Sequence, residues 1–486
     1  MPAAASASAP RSMIVPLIVA CALFMENLDG TVITTALPAM ATSFGTSPIH
    51  LSLGITVYMF SLGIFIPISG WVADRFGART VFRAAIGVFT LGSILCGLTN
   101  GIVELALARI VQGIGGAMMV PVGRLVLLRS VEKADLVRAM AYLTVPALVG
   151  PVLGPPVGGF ITTFLSWRWI FFLNVPIGLL GMVLVTFLLE DQRADRRAPF
   201  DWLGFFLTGV ALSAIMYDSD LVARPDVSAW VLWGLLALGA AVGLWAVLYE
   251  RRQAHPLVDL SLLRIPTFEA CIWGGSIFRV AAGALPFLLP LLLQVGFGMS
   301  AFASGLLTCG SALGSFLMKL TTGPILRRFG FRRVLIGNTI ISAGSLLVCS
   351  FFSVSTPVVL VFLLLLGGGF FRSLQYTCLN TLAYADIEPD KMSAATSFSS
   401  MMQQLSNGMG VAVGAILLHA MLSLRGASPA ELGVGDVHRT FVAVTVLCLF
   451  CLPFFLRLLP RAGAEVSGHR RALTPRAELE PRPSAD

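Results

Sequence analysis

Long apolar runs, each about the length of a bilayer-crossing helix, follow one another from Met13 nearly to Pro460, separated by short polar or basic stretches. About 20 apolar residues in helical form cross the hydrocarbon core of a membrane. The runs are continuous rather than alternating, which predicts helices and excludes a closed barrel. The pattern predicts fourteen membrane helices, at about 13–37, 50–70, 80–98, 102–126, 137–163, 168–189, 201–219, 229–249, 267–294, 301–320, 333–352, 356–380, 393–421 and 440–459. The first run has the look of a signal peptide, but it continues through Glu26 and Asp29 to Pro38 and is expected to remain as an uncleaved helix.

Composition agrees with the pattern. Of 486 residues, 56% are hydrophobic and 12% charged, and the mean hydropathy is +0.86; these values override the several soluble domains that length alone would imply. The expected fold class is an all-α polytopic membrane protein. A formal net charge of +8 would fit a nucleic-acid partner, yet the basic residues sit in short clusters between apolar runs and read as topology signals. Arg75, Arg79 and Arg83, then Arg129, Lys133 and Arg138, then Arg193, Arg196 and Arg197, Arg251, Arg252 and Arg264, and Arg327, Arg328, Arg332 and Arg333 all fall in even-numbered loops. The positive-inside rule then puts both termini in the cytoplasm, which demands an even number of helices. The eight cysteines are scattered through apolar segments and read as buried thiols, including Cys448 and Cys451 despite their redox-pair spacing.

A repeat organises the chain. Gly70 precedes Arg75-Phe76-Gly77-x-Arg79-x-Val81, and Gly323 precedes Arg328-Phe329-Gly330-x-Arg332-x-Val334 at the same spacing, each between the second and third helix of a six-helix set. Two related halves are expected, as in many transporters. The separation of the copies exceeds what six helices require by one helix pair, which falls between Asp201 and Glu250. The expected divisions are a cytoplasmic tail at 1–12, a first half at 13–192, two additional helices with their loops at 193–264, a second half at 265–460 and a cytoplasmic disordered tail at 461–486.

The residues resemble the major facilitator superfamily, and within it the fourteen-helix drug:proton antiporter branch, over nearly the whole chain. GWVADRFGAR, from Gly70 to Arg79, is similar to the signature loop of the superfamily. LDGTVITTALPAM, from Leu28 to Met40, resembles the first-helix motif of that branch; LALARIVQGIGGAMMVP, from Leu105 to Pro121, its fourth-helix motif; and GPVLGPPVGG, from Gly150 to Gly159, its antiporter motif. FLSWRWIFFLNVPIG and FDWLGFFLTG are also typical of the branch. The resemblance implies a major facilitator fold of two six-helix halves plus two additional linker helices, and proton-coupled export by alternating access.

Several residues carry candidate chemistry. At the first repeat, Gly70, Asp74, Arg75, Gly77 and Arg79 lie where helices meet the cytoplasm; Asp74 is placed to cap a helix or bind a neighbouring arginine in a contact that breaks when halves rock. A tight turn with topology charges is the plainer alternative, and the resemblance favours the latch. The second copy carries Arg327 where Asp74 stands, so the latch is expected in the first half alone. Gly150, Pro151, Gly154, Pro155, Pro156, Gly158 and Gly159 remove bulk and backbone donors from one helix, permitting close packing and a bend; the resemblance implies a hinge or leak-proof contact.

Intramembrane charge is the sharpest signal. Glu26 and Asp29 share one face of the first helix, with Arg109 and Arg124 in the fourth, Arg279 in the ninth and Arg372 in the twelfth. Six such charges left unpaired would cost roughly 15–20 kcal/mol, so they must pair or face water. Two neighbouring carboxyls in a partly dry cavity suit a proton carrier. The resemblance makes Asp29 the first choice, Glu26 the second and Arg109 the coupling arginine; a structural ion pair between the two helices is the alternative. Arg279 and Arg372 add positive charge without an intramembrane carboxylate in their half, a natural clamp for carboxylate or phosphate, unless they snorkel or cap carbonyls. Gln375, Tyr376 and Asn380 follow Arg372 as a polar lining, and Gln294, Gln403, Gln404 and Asn407 add neutral groups. Gln294, Gln375, Tyr376 and Arg124 join the two arginines as substrate-binding candidates.

No phosphate-binding loop, metal-ligand spacing or nucleophile triad is present, and Gly113, Gly115 and Gly116 sit inside an apolar span with no preceding strand. No cofactor, metal or nucleic acid is expected, and the chain is not expected to be an enzyme. The partners implied are a small-molecule substrate, protons and the lipid bilayer of a bacterial inner membrane; a periplasmic adaptor is not indicated. Efflux of amphipathic drugs is the expectation, with export of an anionic metabolite or metal chelate, or a non-transporting sensor of the same fold, as alternatives.

Overall fold

Apolar surroundings offer no water to exposed backbone groups, and the chain answers with helices that satisfy their own N–H and C=O groups. The structure, a computed structural model, describes residues 11–46, 48–190, 199–221, 229–426 and 431–469. Arg193, Arg196 and Arg197, residues 1–10 of the expected first tail and residues 470–486 of the expected last one lie outside the described residues, as do the side chains of Pro151 and Pro155.

In chain order the helices are α1 (Arg11–Phe44), α2 (Pro48–Phe65), α3 (Ser69–Phe76), α4 (Ala78–Leu98), α5 (Ile102–Ser130), α6 (Leu136–Phe164), α7 (Trp169–Phe172), α8 (Asn174–Leu188), α9 (Trp202–Leu221), α10 (Ala229–Glu250), α11 (Pro266–Gly283), α12 (Leu285–Pro290), α13 (Ala301–Met318), α14 (Thr322–Cys349), α15 (Val358–Leu382), α16 (Met392–Arg425), α17 (Val434–Leu449), α18 (Leu452–Leu456) and α19 (Ala464–Ser467). A helix occupies each of the fourteen predicted spans, with no strand among the described residues. Ten described helices are long and apolar enough to cross a membrane, eleven with the bent α2–α3 pair, and α9 and α13 contribute shorter apolar stretches. The chain is an all-helical, multi-pass membrane protein.

Departures from the expected bounds have local causes. The span expected at 50–70 breaks, and α3 bends 59° away from α2, because Pro67 cannot donate to the helical ladder. At the break the carbonyls of Ile66 and Pro67 both accept from the Ser397 hydroxyl of α16, at 3.0 and 2.7 Å. The span expected at 267–294 is divided into α11, α12 and a π-helical turn at Leu291–Gly296, with Pro286 and Pro290 interrupting the hydrogen-bond pattern. The helix expected to start near 333 begins instead at Thr322, and the only non-helical residue inside it is Gly330, at φ 71°. Gly77 occupies the matching place of the first copy, at φ 91°. Both repeats are therefore a helical segment, a glycine in a conformation that L side chains rarely adopt, and a second helix.

α1 packs along α6, α4 along α5, α13 along α15, and α11 along α16, while α9 joins α10 and also touches α2 and α16. The α1–α6 contact is built on the small residues of the Gly150–Gly159 motif. A side chain at Gly154 would strike the Thr31 hydroxyl, and one at Gly158 the Thr35 hydroxyl, whereas Gly159 faces no atom within 4 Å. Gly158→Leu should therefore lower the unfolding temperature of the detergent-purified protein, by an overpacking cost of about 1–3 kcal/mol; Gly159→Leu should leave it nearly unchanged. Equal effects from the two would contradict close α1–α6 packing.

Candidate functional site

Asp29 and Arg109 meet in a region closed to solvent. Asp29 lies midway along α1 and Arg109 in the second turn of α5, and the guanidinium Nη1 sits 2.6 Å from Asp29 Oδ2 with both side chains almost fully buried. A charge removed from water is tolerated when every lone pair and proton around it is engaged, and four further helices contribute to that. Gln112, one turn beyond Arg109, accepts from Arg109 Nη1 at 2.6 Å and donates to Asp29 Oδ1 at 2.9 Å. Asn174, at the start of α8, donates to Asp29 Oδ1 at 3.1 Å and to Ser93 Oγ of α4 at 2.9 Å. Ser93 donates onward to the Phe171 carbonyl of α7 at 3.0 Å. From α2, the Gly54 carbonyl accepts from Arg109 Nε at 3.3 Å, and the Tyr58 ring lies 4.3 Å under the guanidinium.

The network is left incomplete on one side. Arg109 Nη2, the Tyr58 hydroxyl and Glu26 Oε2 are buried without a hydrogen-bond partner. Glu26 is one helical turn before Asp29 on the same face, so the acidic neighbour of the ion pair carries an unsatisfied carboxyl oxygen. Replacing Arg109 by a neutral residue would strand Asp29, and the reverse holds too. Sequence reasoning named Glu26, Asp29 and Arg109 but missed Tyr58, Ser93, Gln112 and Asn174. The signal was present: Arg109 and Gln112 are three apart inside an apolar helix, and Asn174 interrupts the apolar run WIFFLNVPIG.

A second group of polar contacts ties α3 and α5 to α15 and α16 at the arginine-rich end of the bundle. Asp74 Oδ1 binds Arg129 Nη2 of α5 at 3.2 Å, while Oδ2 accepts from the Ser393 hydroxyl at the start of α16. Gly70 lies so close to α16 that a side chain there would meet the Ser393 carbonyl. Arg79 donates to the Thr186 carbonyl of α8, and Arg75 is exposed. Deeper along α5, Arg124 donates to the Tyr384 hydroxyl at 3.0 Å and to Gln403 Oε1 at 3.2 Å. Arg124 is thus engaged across the bundle by residues from α16 and the end of α15.

Arg279 and Arg372 belong to a third group. Both are buried; Arg279 donates to Asn380 Oδ1 at 2.8 Å and Arg372 to the Ser311 hydroxyl at 2.5 Å. Arg279 lies 5.8 Å from the Tyr376 ring, and the charge of Arg372 also reaches that tyrosine. Among the described residues no carboxylate forms an ion pair with Arg124, Arg279 or Arg372. Gln375 is elsewhere: it is fully buried between α14 and α15, bonded to Asn338 at 2.9 Å and Thr339 at 2.9 Å. Gln294 lies exposed in the π-helical turn.

The sequence profile of the Major Facilitator Superfamily matches this chain at residues 19–286 and 271–483. The chain belongs to the Major Facilitator Superfamily. A Salmonella heidelberg protein carrying the provisional name multidrug resistance protein MdtD is 40% identical over 433 residues, spanning 89% of this chain and 91% of its own length. The Salmonella typhimurium protein of the same name is 39% identical over the same share. Among solved structures, the human organic anion transporter MFSD10 (TETRAN) aligns with a TM-score of 0.64 at 15% identity, covering 92% of this chain and 100% of its own; at that identity the likeness is one of fold.

The protein is therefore a major facilitator transporter rather than an enzyme, and its relatives carry the name of multidrug resistance proteins. Within this superfamily member, the Asp29–Arg109 pair offers a stability test independent of transport. Arg109→Met alone should destabilise the protein by about 3–5 kcal/mol, because it leaves a buried carboxylate uncompensated. Adding Asp29→Leu should restore part of that loss in the same unfolding measurement, and strictly additive losses would show that the two side chains are not coupled.

Proposed function

We propose that this protein is a proton-coupled exporter of small molecules, working by alternating access in the inner membrane of a bacterium with both termini in the cytoplasm. The observation that carries the proposal is the buried Asp29–Arg109 ion pair, 2.6 Å long, with the Glu26 carboxyl one turn away and unsatisfied. A proton arriving at Glu26 or Asp29 competes with Arg109 for the carboxylate. Once Asp29 is neutral, Arg109 loses its counter-charge, and the polar groups of five helices must rearrange around it. Binding a proton and holding the ion pair are thus mutually exclusive states of one site, as antiport requires.

The contacts at the arginine-rich end supply the moving part. Asp74, Arg129 and Ser393, together with Arg124, Tyr384 and Gln403, join α3 and α5 to α15 and α16. These bonds favour a conformation closed on that side, and opening it to the cytoplasm breaks them. In the proposed division, residues 13–192 and 265–460 are the two rocking halves, and residues 193–264 contribute the additional helix pair. The closely packed Gly150–Gly159 motif keeps α1 and α6 together while the halves move.

The names of the relatives favour amphipathic drugs as substrate. A second reading, export of an anionic compound or metal chelate, is favoured by Arg124, Arg279 and Arg372, three buried guanidiniums without a carboxylate partner among the described residues. Tyr376 between Arg279 and Arg372 would complete such a clamp; the hydrogen bonds of Gln375 are already spent between α14 and α15.

Asp29→Asn should abolish substrate-driven proton release from inside-out vesicles while leaving folded protein in the membrane, and Glu26→Gln should weaken the coupling. Normal coupling in Asp29→Asn would refute the assignment. Challenging the same vesicles with lipophilic cations and with small polycarboxylates, with and without metal, separates the two substrate readings. A response to carboxylates that disappears in Arg279→Gln and Arg372→Gln selects the anionic one.

A further inference from the structure

The additional hairpin holds a buried acid and a half-buried one that the transport reading leaves unused. Asp201 precedes α9 and Glu250 ends α10, so the two come together at the arginine-rich base of the hairpin. A side chain built on Gly204, in the first turn of α9, would strike both Asp201 Oδ2 and Glu250 Oε1. The two oxygens therefore border the same point. Glu250 is 4% exposed, and Asp201 Oδ2 and both carboxyl oxygens of Glu250 are buried without a hydrogen-bond partner.

Among the described residues no cation pairs with them. Asp201 Oδ1 is satisfied, accepting from the Gly204 N–H at 2.9 Å and from the Tyr249 hydroxyl at 3.0 Å. The backbone N–H groups of Leu257 and Val258 face Glu250 without completing a hydrogen bond, and Gln253 approaches Tyr249. Among the described residues, Asp201 is the charge that acts on Glu250. Arg251, Arg252 and His255 follow in the chain but are exposed. The neighbouring helices α2 and α3 bring aromatic rings to this base, Phe65 against Phe205 and Trp71 against Phe200.

Two carboxylates whose oxygens face one point, away from water and with no cation paired to them among the described residues, cannot both stay ionised. One proton placed between Asp201 Oδ2 and Glu250 supplies the missing donor and removes the repulsion together. A hard metal cation would need six or more oxygens, and this site presents three orphaned ones. We propose that Asp201 and Glu250 form a second proton-binding site, sharing one proton that clamps the base of α10 to α9. The clamp matters because α10 packs chiefly against α9, whereas α9 itself touches α2 and α16. Loss of the proton puts two negative charges at that junction and loosens α10 at its base.

The test uses the purified full chain in detergent and does not depend on transport, so it stands or falls separately from the function proposed above. Infrared spectra taken through a pH titration should show, at neutral pH, a protonated-carboxyl component that is lost in Glu250→Gln and kept in Asp29→Asn and Glu26→Gln. In Asp201→Asn, which removes the like charge but keeps Glu250, the band should titrate about one pH unit or more lower. In parallel, the unfolding temperature of the unmodified protein should fall as pH rises through the titration of the pair, because the folded state favours the protonated form; Glu250→Gln should remove that fall. A neutral-pH band of undiminished intensity in Glu250→Gln would overturn the proposal. So would stabilisation by magnesium or calcium ions in the unmodified protein but not in Glu250→Gln, which would make the pair a metal site.

Discussion

An arginine enclosed by protein in an apolar medium can stay charged only with a counter-charge at contact and donors matched to acceptors around it. Arg109 imposes that condition on the first eight helices. Its carboxylate comes from α1, its neutral acceptors from α5 and the α2 backbone, and its aromatic face from α2. Ser93 of α4 and Asn174 of α8 complete the shell around Asp29. Five helices are registered against one another by a single ion pair. The same condition makes the site responsive, since one proton on Asp29 cancels the charge on which the registration rests.

Moving one set of helices against another requires contacts of a different character. Between α3 or α5 and α15 or α16 the bonds are few, polar and placed near the ends of the helices, and Asp74 and Arg129 are part-exposed. Exposed and part-exposed ion pairs contribute little individually, so they can be exchanged at small cost. Within each packed helix pair the reverse holds. Glycines bring α1 and α6 together at van der Waals distance, and such dry, close contacts do not slide. Strength inside the units and weakness between them is a physical basis for the rigid-body rocking proposed above.

Breaks in the helices sit where a partner accepts what they expose. The carbonyls of Ile66 and Pro67 at the break accept from Ser397 of α16, so the bend that follows α2 is also a docking point. The two repeat loops share their positive-φ glycine but differ in their partners. Asp74 in the first reaches Arg129 and Ser393, while in the second the Arg327 carbonyl meets His469 Nδ1 at 2.8 Å and Gly330 faces the same imidazole. The second loop carries arginine where the first carries the acid, and the segment after α19 occupies the position beside its glycine.

The membrane class, the fourteen helical stretches and the acidic and basic residues able to interact inside the bilayer were decided by the linear sequence, because hydrophobic length and the rarity of intramembrane charge are properties of a segment taken alone. The glycines of both repeats were legible for a similar reason, since a backbone conformation closed to other residues leaves its mark in one letter. The partners of those residues were not. Gln112, Asn174, Ser93 and Tyr58 are ordinary polar residues until five helices bring them within reach of Asp29 and Arg109, and Gln375, equally polar in the sequence, is spent on Asn338 and Thr339. Asp201 and Glu250 lie some 50 residues apart and face each other only because α9 and α10 form a hairpin. Whether a buried polar group is satisfied depends on distances between segments, and those distances exist only in the packed bundle.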